Sequence, residues 1–231
     1  MAHKKIVFVL VEGPSDSEAL ELLLSKLFDP NQVFIYIAHY DITTENGVTS
    51  SNILIKLGDI IKKYASSNHF NYVHFQEYIH IVDMDGAYVP DDSIIYNEDA
   101  KKPLYLLTKI ETNNVEGISD RNNRKRQCLE RLSITDTIWR VPYQVYYMST
   151  NLDHVLYNKL NTSDKEKEID AYNFALKYKD NIKGFVDYIC ESDFSVCNGY
   201  PESWNFIKQK NHSLERYSNF GICIKRSNYC K

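Results

Sequence analysis

The sequence lacks several features that would indicate a membrane, secreted or ATP-driven protein. No apolar run approaches the roughly 20 residues that a membrane-spanning helix needs, and the first residues have no signal-peptide cleavage pattern. The five cysteines include no C-x-x-C pair, which favours reduced thiols over a zinc site or a disulfide framework. No G-x-x-x-x-G-K-[ST] motif occurs, so we identify no P-loop. We therefore expect a cytoplasmic protein without a membrane partner.

An excess of positive charge is also missing. The chain has 27 Lys and Arg against 31 Asp and Glu, for a formal net charge of -4. Overall basic charge therefore cannot attract nucleic acid, and any nucleic-acid site must be a local basic patch. The apolar content is that of an ordinary globular protein that can bury a large core.

Strand-like and helix-like patterns alternate along the first half of the chain. Continuous apolar runs at 5–11, 33–39 and 78–82 are typical of strands buried on both faces. Between them lie two helical patterns. We expect Ser15 to be the N-cap of the first, with Glu18 at the capping-box spacing. This order predicts an α/β fold, with a mostly parallel sheet flanked by helices.

The second half of the chain is organised differently. Residues 86–118 are polar and predict an irregular insertion, and residues 119–132 read as a basic helix. A further strand is expected at 139–148, at an edge or a bulge because it contains a proline. Helical patterns follow, one of them long, from Asp164 to Ile189, so we expect a sheet domain at 1–150 and a C-terminal α-helical addition at 151–231.

Four carboxylates follow the predicted strands. Glu12 ends the first strand, Asp83 and Asp85 end the third, and Asp16 lies in the turn-to-helix segment after Glu12. Parallel strands bring their carboxyl ends to one edge of the sheet, where ligands bind in open α/β folds. Residues i and i+2 of an extended segment face the same side, so both aspartates can point at one position. A hard divalent cation would relieve the repulsion between these acids.

Each acid also has a simpler interpretation. Asp16 could only stabilise a helix N-terminus, and Glu12 could be a turn residue. The sequence DMDG could begin a calcium loop, but DMDGAYVPDD lacks the later glutamate of an EF-hand. The strand–Glu–Gly–x–x–Asp unit and the strand–Asp–x–Asp unit are much more specific together than either is alone.

The two units carry a resemblance to a known family. VLVEGPSDSEAL followed by IHIVDMDG resembles the TOPRIM domain, a metal-dependent catalytic module with a Rossmann-like fold. The EGPSD form is similar to that of the OLD-family nucleases and of small TOPRIM proteins from bacterial anti-phage and abortive-infection systems. The resemblance implies a catalytic TOPRIM domain at 1–150 that binds Mg²⁺ or Mn²⁺. Its implied metal ligands are Glu12, Asp16, Asp83 and Asp85.

Two later segments extend the resemblance. STNLDHVLY resembles a helix start found in such proteins, which adds Asp153 to the implied catalytic residues. ESWNFIKQKNHSLERYSN is similar to their C-terminal region and places Lys208, Lys210 and Arg216 near the function. Residues 86–118 match nothing in the family.

The basic residues of SDRNNRKRQCLER allow two interpretations. Such a charge run usually forms a solvated helix face. Alternatively, its basic residues hold the phosphates of a polyanion close to the acidic site; these are Arg121, Arg124, Lys125 and Arg126. Of the histidines, His80 is expected in the sheet core, and His154 could donate to a phosphate.

These observations predict a metal-dependent endonuclease that cleaves phosphodiester bonds in RNA, with tRNA as one candidate, or in DNA. The resemblance implies a toxic anti-phage effector that works with a companion ATPase of the ABC or AAA type. A homodimer is left open. The alternative is a non-catalytic TOPRIM-fold subunit that regulates or binds such an ATPase. A primase-like or strand-passing enzyme is disfavoured, because no zinc motif is present.

Overall fold

The computed structural model describes residues 4–28 and 33–226. The strands of this part of the chain are longest at the centre of the main sheet. They are β1 (Lys5–Val11), β2 (Val33–His39), β3 (Phe75–Asp83), β4 (Ile94–Tyr96), β5 (Leu104–Tyr105), β6 (Ile110–Thr112), β7 (Thr137–Ile138) and β8 (Val141–Met148).

Eight α-helices are present in the described part of the chain. They are α1 (Pro14–Leu27), α2 (Ile53–Ser67), α3 (Val115–Ser133), α4 (Leu152–Tyr157), α5 (Asp164–Tyr178), α6 (Ile182–Glu191), α7 (Tyr200–Ile207) and α8 (Phe220–Arg226). None of these helices is long and apolar enough to cross a membrane. No disulfide joins the described cysteines, and Cys230 lies outside the described residues.

Five strands form the main sheet, in the order β2-β1-β3-β8-β7. The first four are parallel to their neighbours, and only β7 is antiparallel to β8. The α/β fold with a mostly parallel sheet flanked by helices is therefore confirmed. Strand order reverses between β1 and β3, since β2 lies outside β1 while β8 lies outside β3. Such a reversal opens a crevice at the carboxyl ends of the two central strands.

Alternating residues of the central strands pack against two layers of helices. Val7, Val9 and Val11 of β1 share a buried cluster with helices α1, α4, α5, α6 and α8. Ile6, Phe8 and Leu10 face the other way, toward α2, α3 and α7. Because β1 is covered on both faces, its near-continuous apolar sequence follows directly from its position. The C-terminal helices thus complete the layers of the same sheet.

The segment from 86 to 118 is more ordered than its polar sequence suggests. Strands β4, β6 and β5 form a small separate sheet, with a buried cluster that includes Ile94, Ile110 and Leu214. The strands have only two or three residues each. Such short runs give no readable periodicity, which explains why the sequence indicates an irregular insertion.

Two helix predictions need correction. The first helix begins at Pro14 with Gly13 as its N-cap, so Ser15 lies inside the helix and is not its N-cap. The long pattern after 164 is two helices, α5 and α6, and Asn181 caps the second by accepting the backbone N–H of Gly184. In both places a local hydrogen bond to the backbone sets the boundary, which apolar periodicity does not report.

Candidate functional site

The predicted carboxylates lie at the carboxyl ends of β1 and β3, where the strand order reverses. Glu12 directly follows β1, and Asp83 is the last residue of β3, the adjacent strand. The charges of Glu12, Asp16 and Asp85 all act to raise the pKa of Asp83, after the larger effect of its burial, and that pKa lies well above its ordinary value. These four acids therefore interact electrostatically in one region of the structure.

Lys125 lies inside this acidic site. Its ammonium is fully buried and lies 2.5 Å from Asp85 Oδ2 and 3.6 Å from Glu12 Oε1. Burial acts to lower the pKa of Lys125, but Asp85 and Glu12 raise it above its ordinary value, so the side chain is charged. This position corrects both interpretations of Lys125, as a contact to nucleic-acid phosphates and as part of a solvated helix face. Its position on α3 directs it into the sheet crevice.

Asp85 reaches the site through a tight turn and not through an extended strand. Strand β3 ends at Asp83, and Asp85 and Gly86 have φ angles of 47° and 66°. Asp83 and Asp85 therefore do not share a face in the way that residues i and i+2 of a strand do, because that pattern requires extended backbone. The Asp85 N–H donates to the carbonyl of Thr150 at 2.8 Å, which fixes the turn against the chain after β8.

Arg121 supports this turn. Its Nη2 donates to the carbonyl oxygen of Asp85 at 2.8 Å, and its Nη1 donates to the Tyr105 hydroxyl at 2.7 Å. The same hydroxyl lies 3.5 Å from Asp85 Oδ1. Burial acts to raise the pKa of Asp85, but Lys125 and Arg121 lower it below its ordinary value, so this carboxylate is ionised.

Asp16 serves the helix start and the acidic site together. Its Oδ2 accepts the Gly13 N–H at 2.8 Å, the interaction expected of an acid in the first helical turn. Its pKa is raised to about 6, mainly by burial, with Asp153 as a further cause and the Gly13 hydrogen bond opposing the rise. The two interpretations of Asp16 are therefore compatible.

Asp83 contacts the start of α4, the helix that contains Asp153. Asp83 Oδ1 accepts the Leu152 N–H at 3.0 Å. Asp153 Oδ2 accepts the Thr162 hydroxyl at 3.0 Å and lies 3.4 Å from Lys167 Nζ. Asp153 is 3% exposed, and its Oδ1 is buried without a hydrogen-bond partner. An unpaired carboxylate oxygen in this position is costly unless a cation or donor joins it.

Glu12 is a further acid whose raised pKa reflects a shortage of positive charge at the site. Burial raises its pKa to about 8, and Asp41 and Asp85 add to the rise, against the effect of Lys125. The Thr43 hydroxyl donates to Glu12 Oε1 at 3.2 Å. The site therefore holds more carboxylate than its buried ammonium can neutralise.

Three side chains at the site are absent from the sequence-based set. Asp41 and Thr43 follow β2, so the argument from strand ends could have included Asp41. Lys167 comes from α5, where an exposed-looking lysine in a charged helix gives no such signal. Its position depends on how α5 packs beside α1, which is a tertiary effect.

The donor set suits Mg²⁺ in its chemistry, since carboxylate oxygens are the ligands that hard cations prefer. However, among residues 4–28 and 33–226 no group of three or more acid, histidine or cysteine side chains is arranged to hold a metal ion. The hydrogen bonds and ion pairs above explain why no such group is formed, because they direct the carboxylates toward donors of the protein itself. These carboxylates are Glu12, Asp16, Asp83, Asp85 and Asp153. A cation would therefore need carboxylate side chains to rotate toward it.

Of the other predicted nucleic-acid contacts, Arg121 is corrected as well, because its guanidinium is engaged at the Asp85 turn. The predicted nucleic-acid contacts that remain are Arg124, Arg126, Lys208 and Lys210. Arg124 is exposed and Arg126 is half-buried, so these two remain accessible on α3. Lys208 lies 5.9 Å from the centre of the Tyr88 ring, and Lys210 is exposed.

The remaining candidates are structural. Arg216 donates to the carbonyl of Val155. Burial lowers the pKa of His80 to about 3, and its Nδ1 lies 2.9 Å from the Tyr143 hydroxyl. His154 is buried too, and its pKa is lowered to about 4 by burial and by Arg216. A neutral, buried His154 is a poor phosphate donor.

The fold and the site define a class of protein in physical terms. It is an α/β chain whose sheet reverses strand order at a crevice that contains an acidic cluster and one buried lysine. Comparison with known proteins finds no matching family model, no matching curated protein and no matching solved structure.

Proposed function

We propose that this chain is a TOPRIM-type, metal-dependent nuclease that hydrolyses phosphodiester bonds in RNA or DNA. The observation that carries the proposal is the acidic crevice at the strand-order reversal, with Asp153 Oδ1 buried and unpaired beside it. The sequence units that resemble the TOPRIM domain supply the residues of this crevice. A protein that needed these acids only for structure would gain nothing from leaving them short of cations.

The residues have distinct roles in this proposal. Glu12, Asp16 and Asp83 would hold Mg²⁺ or Mn²⁺, with Asp153 joining them after rotation of its side chain. When bound, the metal lowers the pKa of a coordinated water and neutralises charge on the phosphate. Asp85 positions Lys125, and Arg121 holds the Asp85 turn in place. Arg124 and Arg126 on the accessible part of α3 would contact the phosphate backbone, with Lys208 and Lys210 as further candidates.

The biological setting is inferred from the resemblance. A toxic effector of an anti-phage or abortive-infection system, restrained or activated by an ABC- or AAA-type ATPase, fits a nuclease that carries no P-loop in this sequence. Cellular RNA, with tRNA as one target, is the substrate class that best explains toxicity.

The test is a cleavage assay on end-labelled RNA and DNA, in Mg²⁺ and in EDTA. It uses the chain alone and the chain coexpressed with any ABC- or AAA-type ATPase that its neighbouring genes encode. We expect Mg²⁺-dependent products from the wild type, none from Asp83→Asn, and normal products from the control Glu98→Gln, which changes an exposed carboxylate. Asn can still accept the Leu152 N–H, so loss of activity would not reflect loss of that hydrogen bond. Equal cleavage by the wild type and Asp83→Asn would contradict the proposal.

A second candidate function is a non-catalytic subunit that binds or regulates an ATPase. The observation that favours it is the pairing of Glu12 and Asp85 with Lys125, which neutralises part of the acidic site without a metal. Absence of cleavage under every condition, together with stable binding to the ATPase, would support this alternative.

A further inference from the structure

The acidic site already contains one cation that belongs to the chain. Lys125 is fully buried, and its ammonium lies between Glu12 and Asp85 at 3.6 and 2.5 Å. The Thr43 hydroxyl donates to the same Glu12 oxygen at 3.2 Å. A positive charge held by two carboxylates, one of which also accepts a hydroxyl donor, therefore lies between two of the acids that would otherwise be available to a metal ion.

Helix α3 holds Lys125 in this place. Asn122 Nδ2 donates to the carbonyl of Gly86 at 3.2 Å, and Arg121 donates to the carbonyl of Asp85 at 2.8 Å. One turn further along, Cys128 and Leu129 are buried in the core. Lys125 therefore cannot leave the site by rotating into solvent unless the helix moves too.

The lysine on the opposite side of the site, Lys167, is partly exposed, whereas Lys125 is fully buried. Lys167 Nζ lies 3.4 Å from Asp153 Oδ2, but the Lys167 side chain is 33% exposed and can move into solvent. Asp153 Oδ1 is buried and has no hydrogen-bond partner. A divalent cation can therefore enter near Asp153, Asp16 and Asp83, whereas a second one between Glu12 and Asp85 would be repelled by a fixed ammonium.

We propose that Lys125 takes the place of a second metal ion, so that this site binds a single divalent cation per chain. This inference rests on the proposed function, because it assumes that the acidic crevice binds a metal at all. In this arrangement Lys125 is a positioning residue. It holds the Glu12 and Asp85 carboxylates in fixed positions in the crevice. It would also supply a fixed positive charge beside the substrate phosphate.

The test counts bound Mn²⁺ by calorimetric titration and by the loss of the free-ion EPR signal. We expect one Mn²⁺ per chain for the wild type and two for Lys125→Met, in which the methionine fills similar volume without charge. The matched control is Lys167→Met, which removes the movable lysine. It should bind one Mn²⁺, more tightly than the wild type.

The outcomes separate the inference from the proposed function. Two Mn²⁺ in the wild type, or one in both the wild type and Lys125→Met, would overturn the inference and leave the proposed function intact. No Mn²⁺ in any variant would overturn both. If Lys125→Met fails to fold, anomalous diffraction from Mn²⁺-soaked wild-type crystals decides. A single anomalous Mn²⁺ peak per chain, with the Lys125 ammonium still paired with Asp85, supports the inference. Two Mn²⁺ peaks, or a Lys125 side chain displaced from Asp85, overturn it.

Discussion

The raised pKa of Glu12 makes the stability of the metal-free protein depend on pH in a defined direction. The pKa is about 8 in the folded chain against an ordinary value of 4.5, so the folded state binds this proton more tightly than the unfolded state. Stability from this group is therefore complete below pH 4.5 and is lost as the pH rises through 8. Between pH 5.5 and 8 the loss is about 3 kcal/mol if Glu12 titrates alone. Such a change is a large part of the total stability of an ordinary domain.

Glu12→Gln removes the titrating group and keeps a side-chain oxygen for the Thr43 hydroxyl. The assay is urea denaturation in EDTA at pH 5.5 and pH 8 for the wild type, Glu12→Gln and the control Glu98→Gln. The variant should lose less stability than the wild type over this range, by up to about 3 kcal/mol. At pH 8 it should be as stable as the wild type or more so.

Comparison of variants removes the contributions that are common to all three proteins, and the remaining difference reports Glu12 together with its effect on the coupled Asp83. The buried histidines His80 and His154 have lowered pKa values, so they add stability as the pH rises, but they are common to all three proteins. Equal pH dependence in the wild type and Glu12→Gln would refute the reasoning. A variant much less stable than the wild type at pH 8 would show that Glu12 is a structural partner of Lys125 first.

Two further predictions concern the turn and the basic helix. Gly86→Ala should destabilise the chain by roughly 2–4 kcal/mol in urea denaturation, because φ is positive there and a Cβ would lie 2.7 Å from Leu214 Cδ2; unchanged stability would contradict the turn geometry. Replacing Arg124 and Arg126 together with Ala should lower the slope of log affinity against log salt by about 0.7–0.9 for each phosphate that these side chains neutralise. Lys101→Ala, at an exposed position, is the control. An unchanged slope in the double variant would assign these arginines to solvent or to a partner protein.

The sequence predicts the sheet well because its central strands are covered on both faces. The apolar runs that end at Val11 and Val82 are long enough to indicate strands, and their order places the acids that follow, Glu12 and Asp83, at one edge. Asp16 follows from the same argument, since the turn after β1 leads directly into α1. These predictions depend only on local pattern and on the rule that parallel strands end together.

The position of Lys125 could not be predicted in the same way. In the sequence Lys125 lies between Arg124 and Arg126, and such a basic run is typical of a solvated helix face. Only the packing of α3 onto the sheet shows that one side of this helix points into the crevice. The ion pair with Asp85 also depends on the left-handed turn at 85–86, which alternation cannot reveal. The positions of charged residues that tertiary packing buries are therefore the part of this site that cannot be predicted from the sequence.

The central claim, that the acidic crevice is a divalent-cation site, is tested most directly by the effect of Mg²⁺ on stability, without any substrate or partner. A ligand that binds only the folded state stabilises it by about 2.7 kcal/mol at 100 times its dissociation constant. Mg²⁺ at pH 8 should raise the melting temperature of the wild type and of Glu98→Gln in a saturable way, by more than NaCl of matched ionic strength does. Asp83→Asn should show no such rise. No Mg²⁺ effect on the wild type, or an equal rise in Asp83→Asn, would contradict the central claim.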